Sequence, residues 1–183
     1  MPHRAVFLDR DGVLNHVILR DRKPYPPATV SEVVIHEGVQ EALRELKQLG
    51  FLLIVVTNQP DVARGTATRA EVEQIHRHMG GLLPVDEFRA CYHDSGDACA
   101  CRKPRPGMLL DAAREHGIDL AGSYMVGDRW RDVEAGESAG CVTVWIDPGY
   151  DERGPASAPG HRALTPAAAL AWILARERAP GQP

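Results

Sequence analysis

The chain has 183 residues, 44% of them apolar and 25% charged, the length and composition of one globular domain that buries its own core without disulfide staples. Lys plus Arg number 21 against 25 Asp plus Glu, a net charge of −4, which argues against a nucleic-acid footprint. The longest apolar runs, residues 51–56 and 167–175, fall well short of the ~20 residues of a membrane helix.

A short apolar run at residues 5–8 reads as a strand and ends in Asp9. It begins too early to leave room for a signal peptide, so the expectation is a cytoplasmic, monomeric, single-domain protein over residues 1–183. Residues 15–31 read as irregular, because Lys23-Pro24-Tyr25-Pro26-Pro27 is too rigid for a helix or a central strand. Val39, Leu43, Leu46 and Leu49 recur at helical spacing, with Gly50 as the stop. Residues 51–56 form a continuous apolar run, as in a strand covered on both faces. Thr68 and Glu71 make a capping box for a helix whose apolar face is Val72, Ile75 and Met79.

Residues 88–93 read as a strand and 106–116 as a helix opened by Pro106 and stopped by Gly117. Residues 123–126 and 142–146 read as strands with a helix over 131–139 between them. Residues 148–165 are Gly-, Pro- and Ala-rich, and Thr165-Pro166 opens a last helix with Leu170, Ile173 and Leu174 inward. Strand and helix alternating five times predict an α/β fold: a three-layer sandwich around a five-stranded, mainly parallel sheet. No interval holds a separate cap domain.

In such sheets the binding crevice lies at the carboxyl ends of the strands. Asp9 and Asp11 follow the first strand and the chain must turn at Gly12. Turn chemistry, a hard-metal site and an acid/base pair compete as explanations. Asp128, at a later strand end, favours magnesium held by aspartates from two strand ends. Thr57 and Lys103, also placed after strands, suit a phosphoryl group, and Lys103 is one of only three lysines in the chain. No P-loop motif is present.

Cys91, His93, Cys99 and Cys101 read C-x-H-x5-C-x-C. Residues at i and i+2 point the same way on an extended chain, so each pair can pinch one ion. With all four positions supplied by protein, a zinc here is structural. It pins a loop, residues 91–101, that runs directly into Arg102 and Lys103. Cys141, outside this cluster, reads as a buried free thiol.

Together DRDG at 9–12, TNQ at 57–59, RKP at 102–104 and GDRWRD at 127–132 resemble the four signature motifs of the haloacid dehalogenase-like phosphohydrolases. The resemblance implies a Rossmann-like phosphatase domain. It implies Asp9 as nucleophile, Asp11 as general acid/base, and Mg2+ held by Asp9, the Asp11 carbonyl and Asp128. It also implies Thr57 and Lys103 at the transferring phosphoryl. Asp132 either orients Lys103 or the metal waters, or caps a helix.

The zinc motif followed by RKP is similar to the group that holds heptose 1,7-bisphosphate 7-phosphatases and histidinol-phosphate phosphatases. That likeness implies a small phosphate ester as substrate, a heptose bisphosphate first, with histidinol phosphate or another sugar phosphate as alternatives. It adds Asn58, Arg64, Arg102 and Arg129 as substrate-binding candidates. Pro60-Asp61 departs from the group's usual Ser-Gly: proline has no N–H to donate, and Asp61 adds a negative charge. The five-residue spacer between His93 and Cys99 is closer to the histidinol-phosphate branch.

Overall fold

The computed structural model describes residues 2–21 and 23–179. Its strands are β1 (Arg4–Leu8), β2 (Ile18–Arg20), β3 (Lys23–Tyr25), β4 (Phe51–Asn58), β5 (Glu87–Cys91), β6 (Tyr124–Gly127), β7 (Val142–Ile146) and β8 (His161–Ala163). Its helices are α1 (Val39–Gln48), α2 (Arg69–Leu82), α3 (Gly107–His116), α4 (Trp130–Ala139) and α5 (Pro166–Arg178).

Six strands form one parallel sheet in the order β5-β4-β1-β6-β7-β8. Side chains alternate across a strand, and β1 divides accordingly. Val6 and Leu8 join a cluster with Leu43, Ile75 and Ile173, from α1, α2 and α5. Ala5 and Phe7 face Leu109 and Ala135, from α3 and α4. The three layers follow from this two-sided burial. Gly136 lets α4 lie close on the sheet, since a Cβ there would meet Met125 Cβ at 2.6 Å.

Two expectations need correcting. The sheet has six strands rather than five, because β8 adds a parallel edge to β7. It is three residues long and lies in a Gly- and Pro-rich segment, too short to show periodicity. Residues 15–31 are not wholly irregular: β2 and β3 form an antiparallel hairpin, with Pro24 opposite Leu19 and Asp21 at φ 49 in the turn. A two-stranded ribbon has outer edges that need no N–H donor, so it tolerates the proline. Two caps match expectation: Thr68 and Glu71 exchange hydrogen bonds, and Thr165 accepts from the Ala168 N–H.

The order of the sheet positions the chemistry. From β1 the chain moves to β4 and β5 on one side, then returns to β6, β7 and β8 on the other. The reversal makes β1 the switch point, where adjacent crossovers diverge and open a crevice. The ends of β4, β1 and β6 therefore lie side by side there, with Leu8 paired to both Val55 and Val126.

Two histidines tie stability to pH. The His36 ring lies 3.8 Å from that of His16, and the His76 ring stacks 4.8 Å from Phe88. Burial, then the His16 charge, lowers His36 from 6.5 to about 4; burial, then Arg10, lowers His76 to about 4. Between about pH 6.5 and about pH 4 the unfolded chain binds protons on both residues that the folded chain does not, so stability falls as pH falls through that window. The two histidines should therefore lower the thermal midpoint at about pH 5 relative to about pH 7.5, a contribution that the raised carboxylates Asp9 and Asp128 oppose and that shows as the difference between the wild type and a variant without the two histidines. Glutamine at both positions should shrink the drop; an unaltered drop in the double variant would contradict the assignment.

Candidate active site

The crevice at the switch point is a cavity of ≈ 320 Å³ lined by Asp9, Asp11, Thr57, Lys103, Asp128 and Asp132, among others. Asp9 follows β1, Thr57 lies near the end of β4, and Asp128 follows β6. Lys103 arrives from the loop before α3. All the sequence-derived catalytic and magnesium candidates thus meet in one place.

Lys103 is buried and ties the site together. Its Nζ lies 3.0 Å from Asp9 Oδ1 and 2.6 Å from Asp132 Oδ1, and donates to the Val56 carbonyl at 2.6 Å. These partners occupy its three N–H donors. Burial alone would lower its pKa, but Asp132 and Asp9 outweigh it and raise the value, so the ammonium stays charged.

Asp132 fills both of the roles left open by the sequence. Its Oδ1 holds Lys103, and its Oδ2 accepts from the Arg129 N–H at 2.9 Å to cap α4. A Cβ on Gly127 would fall 2.0 Å from the Asp132 Cβ, so glycine at the end of β6 lets Asp132 sit this deep.

The carboxylates separate by environment. Burial, then the Asp132 charge, raises Asp9 to about 6 despite Lys103. Burial, followed by the charges of Asp9 and Asp132, raises Asp128 well above its ordinary range. Tyr150 donates to Asp128 Oδ2 at 2.8 Å, while the buried Asp128 Oδ1 has no hydrogen-bond partner. Gly12, at φ +88, would place a Cβ 2.0 Å from Asp128 Oδ2. The turn after β1 therefore requires glycine both for its backbone and for the approach of Asp128.

Burial would raise Asp11 as well, but the Arg10 charge and several hydrogen bonds lower it. Arg10 Nη2 donates to it at 2.9 Å, Asn15 Nδ2 at 3.0 Å and Gln59 Nε2 at 2.9 Å. Gln59 Nε2 also donates to Thr57 Oγ1 at 2.9 Å, which leaves the Thr57 proton free to donate.

The four substrate-binding candidates all line the cavity but are engaged differently. Asn58 is engaged with the main chain of Lys103: its Oδ1 accepts from the Lys103 N–H at 3.1 Å and its Nδ2 donates to the Lys103 carbonyl at 3.0 Å. It positions Lys103, and its second amide N–H remains for the cavity. Arg64 makes two 2.7 Å hydrogen bonds to Asp94 and lies 3.4 Å from Asp61, so the Asp61 charge already has a counterion. Arg129 binds Glu152 with Nε and Nη2. Arg102 donates to the His93 carbonyl at 3.0 Å.

Arg10, Gln59 and Tyr150 had no assigned role in the sequence. Arg10 and Gln59 lie inside quoted motifs, where a buried cation or amide beside carboxylates is a readable signal. Tyr150 lies 22 residues beyond Asp128 in an irregular segment and had none.

The four soft ligands also meet. Cys91 Sγ lies 3.5 Å from His93 Nδ1, 3.8 Å from Cys99 Sγ and 3.1 Å from Cys101 Sγ, and His93 Nδ1 lies 3.3 Å from Cys101 Sγ. A tetrahedral zinc with ligands at ~2.0–2.3 Å needs ligand separations of ~3.5 Å. Cys141 is a buried free thiol. Among the described residues no helix is long and apolar enough to cross a membrane.

Comparison with known proteins agrees with this geometry. The profile of the HAD-hydrolase-like family matches residues 100–170. The D-glycero-β-D-manno-heptose-1,7-bisphosphate 7-phosphatase of Escherichia coli K12 is 39% identical over 153 residues, covering 76% of each chain. That of Yersinia pestis is 36% identical over 185 residues, covering 93% of this chain and 89% of its own. The crystal structure of D,D-heptose 1,7-bisphosphate phosphatase from Bordetella bronchiseptica, complexed with magnesium and phosphate, superposes with a TM-score of 0.77 at 31% identity. It covers 94% of this chain and 99% of that one. A sheet that gathers an aspartate pair, a buried lysine and a third aspartate at its switch point, with these relatives over most of its length, places the chain in the haloacid dehalogenase-like hydrolase family as a phosphoric monoester hydrolase.

Proposed function

We propose that this enzyme hydrolyses the 7-phosphate of a heptose 1,7-bisphosphate through an aspartyl-phosphate on Asp9, with Mg2+ as catalytic ion. The observation that carries the chemistry is the buried Lys103 shared by Asp9 and Asp132 beside an unpartnered oxygen of Asp128. The relatives named above support the substrate.

The donor set fits a hard cation. Carboxylate oxygens of Asp9, Asp128 and Asp132 lie within 4.8 Å of one another, and those of Asp132 are committed to Lys103 and the Arg129 N–H. Asp9 and Asp128, with the Asp11 main-chain carbonyl, are left to hold Mg2+. When bound, the ion offsets the repulsion between a carboxylate nucleophile and a phosphate dianion.

The protein groups supply the rest. Asp9 Oδ1 is fixed by the Arg10 N–H at 2.8 Å and by Lys103, which aims the carboxylate at phosphorus. Asp9 attacks, the P–O bond to the sugar breaks, and the sugar oxygen takes a proton from Asp11. Asp11 then removes a proton from water, which attacks the aspartyl-phosphate and releases phosphate. The Lys103 donor that serves Asp9 Oδ1 becomes available to the phosphoryl oxygens as Asp9 forms its bond to phosphorus and loses charge, and the Thr57 hydroxyl donates to them as well. The bracket of Arg10, Asn15 and Gln59 keeps Asp11 ionised, the form used in the second half. Protonation for the first half requires Asp11 to loosen from Arg10.

The Cys91, His93, Cys99 and Cys101 set suits a structural zinc with no open position. Bound there, a zinc would let Cys91, His93, Cys99 and Cys101 fix the loop that presents Arg102 and Lys103. Thiolate ligation and a free Cys141 suit a reducing compartment such as the cytoplasm.

Phosphate release from a panel of esters tests the substrate. Heptose 1,7-bisphosphate should exceed histidinol phosphate and p-nitrophenyl phosphate by at least about a hundredfold in kcat/KM, roughly 2.7 kcal/mol of transition-state binding. Equal values would sink the substrate assignment. The zinc reading is separate: metal analysis should find about one zinc per chain, and stripping it, then restoring magnesium alone, should lower turnover at least tenfold. Full activity without zinc would contradict the loop's role.

A further inference from the structure

Four arginines line the cavity: Arg64, Arg102, Arg129 and Arg131. They differ in how much of their hydrogen-bonding capacity the protein already uses. Arg64 is held by Asp94 through two nitrogens, and Arg129 by Glu152 through two. Arg102 donates to the His93 carbonyl at 3.0 Å with Nη1 and to Ser95 Oγ at 3.5 Å with Nη2, and lies 3.8 Å from Asp94. Arg131 stands apart. Among the described residues its guanidinium makes no hydrogen bond, and its only ion pair is a loose 3.8 Å approach to Glu152, whose oxygens already serve Arg129.

Arg131 is nevertheless held in place. Its guanidinium lies over the Trp130 ring at 4.4 Å. Stacking fixes the plane of the fork while leaving its edge N–H groups unspent. Burial, then the charge of Arg129 and also that of Arg102, lowers its pKa. A guanidinium stays protonated even so, and the cost of crowding like charges is recovered when an anion arrives.

We propose that Arg131, beside the Arg102 that the resemblance already assigns to substrate, is a specificity-determining residue that binds the second, non-reacting phosphate. This rests on the bisphosphate reading above and extends it to a residue that chooses among substrates. Arg131 lies at the start of α4, two residues after Arg129 and one before Asp132. The helix that caps itself on Asp132 thus presents Arg131 to the same cavity in which Asp9 and Lys103 take the reacting phosphate. A planar fork with free N–H edges matches a phosphate bidentately. A substrate such as histidinol phosphate, which carries an ammonium and an imidazole and no second phosphate, gives these cations no anion to bind and adds like charge in a partly desolvated cavity. Charge at the far end of the cavity then discriminates without a cap domain.

The test compares a sugar 1,7-bisphosphate with the matching 7-monophosphate, using the intact metal-loaded enzyme. Arg131→Ala should lower the bisphosphate-to-monophosphate ratio of kcat/KM at least tenfold, mainly through KM on the bisphosphate, and Arg131→Lys should recover part of the ratio. A wild-type enzyme that prefers the bisphosphate, with an alanine variant that keeps the whole preference, would overturn the Arg131 assignment alone. A wild-type enzyme without any preference would overturn it together with the bisphosphate reading.

Discussion

The contact of the Lys103 ammonium with Asp9, Asp132 and the Val56 carbonyl is what the rest of the site depends on. Asp9, Asp128 and Asp132 are buried within 4.8 Å of one another. Such a group would neutralise by protonation unless cations offset it. Lys103 is the one buried lysine, and its three donors are all used. The main chain around it is bracketed by the Asn58 amide, and the loop that carries it begins at four converging metal-type ligands. Structure is thus spent on fixing a single cation, because a phosphoryl group can be stabilised only where the positive charge is already in place.

The sheet contributes the geometry that makes this possible. Because β1 is the switch point, Asp9, Thr57 and Asp128 come from three neighbouring strand ends without any long excursion. Glycine marks both places where the carboxylates crowd the backbone, Gly12 against Asp128 and Gly127 against Asp132. The hairpin of β2 and β3, with Pro24 and Tyr25 at the cavity, replaces a cap domain as the outer wall. An open wall leaves selection to the charged cavity lining, which is where the arginines stand.

Much of this was legible in the sequence, for physical reasons. Strands covered on both faces read as unbroken apolar runs, as at Phe51–Asn58, and their polar ends mark the crevice. The ligand spacing of Cys91, His93, Cys99 and Cys101 was legible because a metal needs several donors close in sequence or fold. What was hidden depended on contacts distant in the chain. Tyr150 reaches Asp128 from an irregular segment. Asn58 turned out to hold Lys103 across 45 residues. No spacing rule announces either. The short β8 was hidden because three residues carry no period, and Arg131 because an arginine at a helix start usually points to solvent.

The central claim is that Asp9, not water, first attacks phosphorus. The most direct measurement is the stereochemical course at phosphorus, using a substrate made chiral there with oxygen isotopes and sulfur. Two in-line displacements, one by Asp9 and one by water, predict net retention. Net inversion would mean a single direct attack by water and would contradict the account.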